Sequence, residues 1–489
     1  MEKIEEKSSV KIGAKSFLTA FIILFALLTV TGILTRIIPS GEYDRVIHEN
    51  RTIIEDGSYH IVEKEPVPVF RWYTSIIEVF WGDNKLTVIV LVLFISFLGA
   101  SFTILEKGRI LSTIISLVAA RFAKRKYLLM AAIILLMMLL SSLVGCMEGL
   151  MPVVLILVPL SVALGWDSLV GLGMSLLALA FGFSAAITNY FTIGVAQTIA
   201  ELPLFSGTWL RVLFFIAAYA ATFFFVSSYA KKIEKNPEKS LCYEEDRAVR
   251  EKYRIENILE DQHLYEKLSM RRAIWWFTGC ILTGFSFMLI AAVVPSIPND
   301  IAFPVVAILF LVGGLGAGAF VGMKAKVLSG YFGNGILNML PGIILLLMAM
   351  AIPHVMTRGG VMDTILFRAG NIVAGTNIYA AVLLVYLLTL ILNFFISSAS
   401  AKAFLMMPIL IPLADMIGMT RQTVILAFNF GDGFSNMLHP TSALLLIALG
   451  FTTVGYTKWI RWTLKAQLMM FVLSMIFLLF AVSIGFGPF

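Results

Sequence analysis

A single stretch of sequence limits most strongly what this chain can fold into. It runs from residue 127 to residue 230, and four charged residues occur in it: Glu148, Asp167, Glu201 and Arg211. Soluble domains carry close to 25% charged residues. The whole chain is 59% hydrophobic and 14% charged. Because a helix needs about 20 apolar residues to cross a bilayer, we predict an all-α polytopic membrane protein with about ten full spans and exclude a water-soluble fold.

Basic residues lie beside the apolar blocks. The net charge is +7, and residues 106–126 hold six basic residues and one acid. Their apolar residues recur every three or four positions, which is typical of an amphipathic helix at the membrane interface. Basic loops of membrane proteins face the cytoplasm. We therefore expect this helix and the N-terminus to be cytoplasmic and the acidic loop at 40–84 to lie outside. The apolar stretch at 17–39 is long for a signal peptide and predicts a retained anchor.

One long polar segment divides the chain near its middle. Residues 231–272 contain eleven basic and ten acidic residues, with basic pairs at both ends. This pattern predicts a cytoplasmic charged linker, either solvated or serving as a regulatory docking site. Residues 1–230 and 273–489 are the two parts on either side of it.

The two parts match one another in order. Gly108 and Gly360 are 252 residues apart, and Pro159 and Pro412 are 253 apart. Phe181-Gly182 and Thr192 match Phe430-Gly431 and Thr441 at 249. The amphipathic stretch at 354–377, unlike the basic one at 106–126, has only two basic residues, which suits the outer face. Matched segments on opposite faces indicate an inverted-topology repeat, the architecture of alternating-access carriers.

Polar residues interrupt each apolar block twice. Backbone that leaves helical geometry inside a membrane must be buried in protein or line a wet cavity. We predict re-entrant hairpins at about 128–165 and 380–418, with tips near 145–149 and 397–402. Two full spans joined by a polar turn are the alternative for each. Broken helices are predicted at about 168–201 and 422–450.

These interruptions supply the candidate site. Unwound helix ends bind anions through amides and cations through carbonyls. We predict that Asp432, Ser435 and His439 handle a coupling cation, and that the substrate is bound by a larger polar set: Glu148, Thr188, Asn189, Thr192, Gln197, Ser398, Ser400, Lys402, Asn436, Thr441 and Ser442.

Four of these residues have alternatives that the sequence leaves open. Asp432 either binds a cation, a proton or a substrate amine, or only braces its loop. Lys402 either contacts the substrate or balances Asp432, or it extends toward the membrane interface. His439 either relays protons or is an ordinary satisfied histidine. A site role for Glu148 is equally open.

Motifs for other functions are absent from the sequence. It has no phosphate-binding G-x-x-x-x-G-K-[ST], no HExxH and no G-x-S-x-G, so neither ATP-driven pumping nor hydrolysis is predicted. The three cysteines (146, 242 and 280) have no metal-site or disulfide spacing. We expect no cofactor and no metal site, with Na⁺ or H⁺ as the coupling ion, and no binding of nucleic acid.

Several motifs resemble those of the YfcC/DcuC-like family of C4-dicarboxylate carriers and basic amino acid antiporters, within the ion transporter superfamily. The family's Asn-Pro-Phe-Thr-x-Gly-x-Ala-Gln stretch corresponds to residues 189–197. The second half is more similar and includes Ser398-Ala399-Ser400-Ala401-Lys402, Met407-Pro408, Phe430-Gly431-Asp432-Gly433-Phe434-Ser435-Asn436 and Pro440-Thr441-Ser442.

This resemblance covers nearly the whole chain. It implies a scaffold domain, a moving domain with two hairpins, and secondary transport of carboxylates, amino acids or related anions. The first half departs from the family pattern at three positions: Glu148-Gly149 replaces an acidic pair, Tyr190 replaces a proline, and Glu201 replaces a glycine. Substrate preference can therefore differ from that of relatives.

Together these features predict a secondary active transporter of a small carboxylate-bearing solute, either a C4-dicarboxylate or an amino acid. Coupling to H⁺ or Na⁺, or exchange, is expected. An arginine/ornithine-type antiporter is the alternative within transport, and an intramembrane enzyme without a recognisable motif is the alternative outside it. We expect a multi-pass protein of the bacterial inner membrane, embedded in the lipid bilayer. The oligomeric state cannot be read from the sequence, and the resemblance leaves a homodimer as one alternative because dimers are common in that superfamily.

Overall fold

A computed structural model describes residues 14–48, 51–54, 57–82, 84–145, 147–253, 255–293 and 299–487. The predicted cytoplasmic N-terminus at residues 1–13 and Cys146 fall outside these residues. Within them, ten helices are long and apolar enough to cross a membrane. The prediction of an all-α membrane protein with about ten spans is therefore confirmed.

The helices are α1 to α10 before the central linker and α11 to α21 from it onward. The first ten are α1 (Ala14–Ile37), α2 (Val69–Glu78), α3 (Lys85–Lys107), α4 (Ile110–Phe122), α5 (Lys126–Val144), α6 (Met151–Ala163), α7 (Ser168–Leu172), α8 (Ala178–Ala185), α9 (Val195–Ile199) and α10 (Thr208–Lys235).

The others are α11 (Arg247–Lys252), α12 (Ile255–Tyr265), α13 (Leu268–Val293), α14 (Asn299–Phe320), α15 (Ala325–Arg358), α16 (Met362–Ala374), α17 (Ile378–Phe395), α18 (Ala399–Ile417), α19 (Arg421–Gly433), α20 (Ala443–Gly450) and α21 (Tyr456–Ser483).

The first group of packed helices is the peripheral bundle, formed by α1, α2, α3, α13, α14 and α15. Helix α3 lies between α14 and α15, and α13 pairs with α14. Close approach is permitted by glycine, because a Cβ on Gly335 would lie within 2.5 Å of the Ala100 Cα. In an 18-residue apolar stretch of α13, only 22% of the residues are buried. Its remaining face is apolar, as expected for a helix that contacts lipid.

The second group is the central bundle, formed by α5 to α10 and α17 to α21. Helix α8 packs against α5, α10 and α19. Most residues of the broken helix at 168–199 are buried, so it is surrounded by protein. Two segments of this broken helix, Gly173–Leu177 and Tyr190–Gly194, are π-helical turns. Helices that are buried all round are apolar all round, which explains why this block shows little amphipathic pattern. Helix α15 packs on α20 and joins the two bundles.

The loop that follows α1 is more structured than its polar composition predicts. Strand β1 (Gly41–Glu42) pairs with β4 (His60–Ile61), and β2 (Arg45–His48) pairs with β3 (Arg51–Ile54). Helix α2 follows within the same predicted loop, with Trp72 and Ser75 buried on its inner face. The Gly41 amide donates to the Gly360 carbonyl at 3.0 Å, so the loop packs on the N-terminal end of α16.

The matched amphipathic helices α4 and α16 lie at opposite ends of the molecule. At the N-terminus of α4, Arg109 forms an ion pair with Asp261 of the central linker at 2.7 Å. In α16, Asp363 forms an ion pair with Arg45 of the loop after α1 at 2.8 Å. Helix α3 leads from the side of that loop to the side of the linker. Opposite placement of matched segments is the property of an inverted repeat.

The central linker is not simply a solvated segment. Asp246 is completely buried and Asp261 is 2% exposed. Asp246 accepts a hydrogen bond from the Ser168 amide at 2.8 Å, and Lys252 forms an ion pair with Glu106 of α3 at 2.8 Å. Composition alone suggested solvation because alternating charges are common on solvent-facing chains, but here several of those charges find partners on the two bundles.

Candidate functional site

Each half places a hairpin tip against the break of its broken helix. In the first half the hairpin ends meet, since Lys126 donates to the Leu164 carbonyl at 3.3 Å and the Tyr127 and Trp166 rings are 5.5 Å apart. Gly145 at the tip has φ +77°, and a Cβ there would lie 1.9 Å from the Asn189 Oδ1. Only glycine accommodates this contact. The arrangement is compatible with a re-entrant hairpin.

The first break is fixed by the end of α5. Helix α8 ends at Ala185, and the Ile187 amide donates to the Ser142 hydroxyl at 2.9 Å. Thr188 donates its hydroxyl to the Leu143 carbonyl at 3.2 Å. Asn189 then caps the next helical turn by accepting from the Phe191 amide at 2.9 Å. The chain therefore leaves helical geometry with its freed amides partly satisfied by side chains.

The second break has the same arrangement, which we call a joint: a threonine hydroxyl bonded to the end of the first hairpin arm and a side-chain cap on the next half-helix. Thr441 donates its hydroxyl to the Phe394 carbonyl of α17 at 2.6 Å, and Ser442 caps α20 by accepting from the Leu445 amide at 3.4 Å. Thr441 and Ser442 therefore correspond to Thr188 and Asn189, 253 residues earlier. The predicted match of Thr192 with Thr441 is wrong.

The reason for that error is an extra turn. A 3-10 turn at Phe434–Met437 lengthens the second break, so the spacing between the halves changes there. Before the break the predicted spacing of 249 fits, because an added Cβ on Gly182 would meet the Met138 carbonyl and one on Gly431 would meet the Tyr386 carbonyl.

A completely buried ion pair lies at the second joint. Lys402 of α18 and Asp432 of α19 are both 0% exposed and contact one another directly. The Lys402 ammonium also donates to the Asn393 side-chain carbonyl. Asn393 in turn donates to the Ser435 hydroxyl at 2.6 Å. Lys402 thus balances Asp432, and the prediction that it extends to the membrane interface is wrong.

Asp432 keeps one oxygen without a protein partner. Its Oδ1 contacts Lys402, whereas its Oδ2 is buried and has no hydrogen-bond partner among the described residues. The Asp432 backbone carbonyl accepts from the Asn393 and Asn436 side chains, each at 3.0 Å. That carbonyl is therefore occupied by amides, which disfavours the predicted use of nearby carbonyls for a cation.

The two breaks meet where α8 crosses α19. A Cβ on Gly433 would lie 2.2 Å from the Ser184 Oγ and 2.4 Å from the Ser184 amide nitrogen. Asn429 donates to the Ser184 carbonyl at 2.6 Å. The Ser184 hydroxyl and the Asn429 side-chain oxygen are buried and have no partner among the described residues. Polar groups that are buried and unsatisfied cost free energy unless something binds them.

The same condition holds at the first break. The Asn189 amide nitrogen and the Thr192 hydroxyl are buried without a hydrogen-bond partner among the described residues. Asp432, Ser184 and Asn429 likewise have unsatisfied polar atoms. Each break therefore contains such atoms beside the contact between the two halves. These atoms mark the region where a polar ligand has most to bind.

Other predicted site residues have clear local roles. Ser398 is exposed and caps α18 by accepting from the Ala401 amide at 3.4 Å. His439 lies with its Nε2 3.2 Å from the Leu390 carbonyl. Glu148 opens the 3-10 turn at the first hairpin tip and is partly exposed, and Ser400 is also partly exposed. Their roles toward a substrate or a proton stay predictions.

Gln197 has hydrogen-bond partners within the protein on both its amide nitrogen and its oxygen. Its amide nitrogen donates to the Ser206 carbonyl at 3.0 Å and to the Gln422 side chain at 3.2 Å, and its oxygen accepts from the Phe205 amide at 2.6 Å. These bonds fasten the loop before α10 to α19. In this structure Gln197 has a local bonding role, and its contact with a substrate stays a prediction.

Arg211 is one of the residues at this site that the candidate set lacked, together with Ser184, Asn393 and Asn429. It is 1% exposed and donates to the carbonyls of Ser206 at 2.8 Å and Ile187 at 3.2 Å. Among the described residues it forms no ion pair. Ile187 immediately precedes the first joint, so Arg211 fixes that break from the side opposite Ser142. An arginine within an apolar block was the signal that could have identified it.

The arrangement has the chemistry of a site for a carboxylate and a proton. Helix α18 begins beside Lys402 and α20 begins at Ser442, so amides at two N-terminal ends and one ammonium lie near the second joint. Such groups bind anions. No cluster of three potential metal ligands occurs among the described residues. Transport of a small solute, with Asp432 able to take a proton, is what these groups can support.

This combination of hairpins, paired breaks and a buried ion pair is that of a membrane carrier. The chain belongs to the DcuC family of C4-dicarboxylate anaerobic carriers, whose family model matches residues 17–483. It is therefore a multi-pass secondary transporter of a small molecule.

Two relatives are similar over most of their length. The Escherichia coli (strain K12) protein named "Putative basic amino acid antiporter YfcC" is 29% identical over 418 residues, covering 83% of this chain and 80% of YfcC. A Haemophilus influenzae protein described as uncharacterized is 24% identical over 506 residues, covering 96% of this chain and 97% of its own.

Two solved structures are also similar. They are the YdaH transporter of Alcanivorax borkumensis, covering 97% of this chain and 100% of that one, and MtrF of Neisseria gonorrhoeae, covering 95% of each. Both have 16% sequence identity and a TM-score of 0.42. Similarity at this level supports no conclusion about the site.

Proposed function

We propose that this protein moves a small carboxylate-bearing solute across the bacterial inner membrane by alternating access, coupled to a proton at Asp432. The observation that carries the proposal is the completely buried Lys402–Asp432 pair, in which the second oxygen of Asp432 has no partner among the described residues. The proposed solutes are C4-dicarboxylates and amino acids, and no cofactor is involved.

Coupling follows from competition for one ammonium. A substrate carboxylate that approaches Lys402 pairs with the Lys402 ammonium in place of Asp432. An isolated carboxylate is costly to bury, so Asp432 then takes up a proton. When the substrate leaves, Lys402 returns to Asp432 and the proton is released. The substrate and the proton thus travel together, and the pair is never left as a lone buried charge.

A proton suits this pair better than Na⁺. A sodium ion at the free Asp432 oxygen would lie beside the Lys402 ammonium, and two like charges at a few ångströms repel strongly where solvent is excluded. The occupied backbone carbonyl of Asp432 removes a further ligand that Na⁺ would need.

A basic amino acid antiporter is the second candidate. Glu148 at the first hairpin tip forms no ion pair among the described residues, and it is the acid that a substrate ammonium or guanidinium would need. The name of the YfcC relative supports the same class. In this version the α-carboxylate binds at the second joint and the cationic group lies toward Glu148.

Orientation and assembly complete the proposal. The basic residues of 106–126 favour a cytoplasmic location for α4, the linker and the N-terminus. A homodimer is proposed from the superfamily resemblance.

Counterflow in proteoliposomes tests the function. Liposomes loaded with succinate, fumarate, aspartate, arginine or ornithine are diluted into each labelled solute, with and without imposed H⁺ or Na⁺ gradients. We expect one class to exchange, with uptake driven by a H⁺ gradient and not by Na⁺. Drive by Na⁺ alone would overturn proton coupling, and absence of exchange for all solutes would count against the proposed substrates.

A further inference from the structure

The described linker residues 237–253 and 255–265, which we call the clasp, bond to both bundles. On the central bundle, the Asp246 carboxylate accepts from the Ser168 amide at 2.8 Å and the Ser168 hydroxyl at 2.6 Å. The same carboxylate accepts from the Thr453 hydroxyl at 2.9 Å. Ser168 begins the first broken helix and Thr453 follows the end of α20. One buried side chain therefore joins the ends of both broken helices.

A second carboxylate strengthens this contact. Asp167 accepts from the hydroxyls of Tyr229 on α10 and Ser240 of the clasp, each at 2.7 Å. Lys458 of α21 donates to the Leu241 carbonyl at 2.8 Å. The clasp is thus bonded to α10 and α21 as well as to the broken helices.

The other end of the clasp is bonded to different elements. Lys252 forms an ion pair with Glu106 of α3, a helix of the peripheral bundle, at 2.8 Å. Arg109, between α3 and α4, forms ion pairs with Asp261 at 2.7 Å and Glu260 at 2.6 Å. Any displacement of the central bundle relative to α3 must therefore stretch or break contacts of the clasp.

We propose that the clasp is a regulatory device, and that its release from Ser168 and Thr453 is required for the two bundles to move relative to one another during transport. This inference rests on the proposed alternating-access movement, but not on the identity of the solute.

Docking of the clasp depends on pH through Asp246. Burial raises the pKa of Asp246 from its ordinary value of 3.8 to about 6, and burial likewise raises the pKa of Asp167. Asp167 is the charged neighbour of Asp246, and Cys242, Glu245 and Lys458 lie in the same cluster. Tyr229 bonds Asp167, and Arg250 lies over the Tyr243 ring. Lys458 pairs with Glu245, and no cation pairs with Asp246 among the described residues. The neighbouring Asp167 therefore adds to the effect of burial.

The sign follows from linkage. The docked carboxyl binds its proton more tightly than the released one, so docking is strongest below pH 3.8 and weakens as pH rises to about 6. Above that value both states are ionised and docking stays at its weaker level. Between pH 5 and pH 7 the released fraction should rise about tenfold.

Cys242 provides the measurement. It lies within the clasp, its side chain is 0% exposed and its thiol is free, so a membrane-impermeant maleimide reaches it only when the clasp opens. Membranes exposing the linker side are labelled without any solute, and labelling of the Cys242 peptide is quantified by mass spectrometry. Asp246→Asn, a permanently neutral side chain, is measured at the same pH to cancel the intrinsic pH dependence of maleimide.

The ratio of wild-type to Asp246→Asn labelling should rise about tenfold between pH 5 and pH 7, from about 15 to about 150. A ratio that is the same at both pH values would overturn the pH-dependent clasp. Labelling of wild-type protein as fast as in denatured protein at the same pH would overturn docking itself.

Cross-linking tests whether release is needed for transport. Glu245→Cys of the clasp and Lys458→Cys of α21, whose native side chains form an ion pair one residue from Asp246, are combined in a Cys242→Ser background and joined by a short reducible bifunctional thiol reagent. The cross-link holds the clasp on the central bundle. Counterflow of the solutes above should fall at least tenfold on cross-linking and recover on reduction, while each single-cysteine control is unaffected. Unchanged counterflow in the cross-linked protein would overturn the proposal. Absence of counterflow before cross-linking counts against the proposed function alone, since the labelling ratio needs no solute.

Discussion

At the scale of single residues, the buried Lys402–Asp432 pair dominates the site. Removing one member of a buried pair leaves an uncompensated charge and typically costs 3–5 kcal/mol, whereas replacing both with apolar residues is often neutral. The pair is therefore a weak source of stability, and the proposed proton coupling gives it a role that folding does not. Its retention in an apolar bundle is explained by a role in transport more readily than by a role in folding.

Asp432→Asn should abolish transport while the protein still reaches the membrane. The asparagine cannot take up a proton, and Lys402 loses its counter-charge, so thermal stability in detergent should also fall. Counterflow normalised to the amount of reconstituted protein measures the first effect. The control is Lys402→Met with Asp432→Leu, which should recover stability but not transport. Full activity in Asp432→Asn would remove the coupling role.

Arg211 should affect both folding and substrate binding even when its charge is kept. Arg211→Lys preserves the charge but cannot bond the Ser206 and Ile187 carbonyls together. Loss of one charge-assisted bond should lower the free energy of unfolding by about 1.5–3 kcal/mol, and the less firmly held break should raise KM. Kinetics of uptake in proteoliposomes separate KM from the maximal rate. The exposed Arg368→Lys is the matched control, and an unchanged KM in Arg211→Lys would refute the role.

At the scale of elements, a hairpin tip and a broken helix form one joint in each half. The joint consists of a threonine hydroxyl bonded to the end of the first hairpin arm and a cap on the next half-helix. Because the same joint occurs twice, the two halves share side-chain contacts as well as the order of their helices.

Substitution of the threonines should separate structure from binding. Thr188→Val and Thr441→Val each remove a hydroxyl that bonds a carbonyl, which should lower stability by about 1 kcal/mol. Thr192→Val removes a hydroxyl with no partner among the described residues, so it should leave the melting temperature unchanged or raised and reduce transport. Thermal melting and counterflow on the three variants check this, and destabilisation by Thr192→Val alone would contradict the assignment.

At the scale of the whole molecule, ion pairs fix the relation between the two faces. Arg109–Asp261 joins α4 to the linker, and Arg45–Asp363 joins α16 to the loop after α1. The two amphipathic helices are thereby held at opposite faces by partners distant in sequence.

Cysteine labelling from the two sides of the membrane checks this topology. Glu63→Cys, in the exposed loop, and Lys239→Cys, in the exposed part of the linker, should react with an impermeant maleimide from opposite sides. Right-side-out and inside-out vesicles give the two accessibilities, with Cys242→Ser as background. Reaction of both from one side would contradict the inverted arrangement.

Much of the fold could be predicted because it depends on local chemistry. The apolar blocks indicated the spanning helices, and polar interruptions located the tips and breaks to within a few residues. The match of Thr192 with Thr441 failed because an extra 3-10 turn leaves no mark in composition. The alternative of a solvated linker does not describe all of its charges, because the charge pattern does not reveal which charges have partners on other elements.

The sequence by itself determined that this chain is a membrane carrier with two similar halves, since hydropathy and repeated motifs act along the chain. Only the tertiary structure decided which polar residues work together. Lys402 and Asp432 are 30 residues apart, Ser184 and Asn429 are 245 apart, and Asp246 and Thr453 are 207 apart. Such partners are chosen by helix packing in three dimensions, where a buried polar group must find a donor or acceptor wherever the fold brings one.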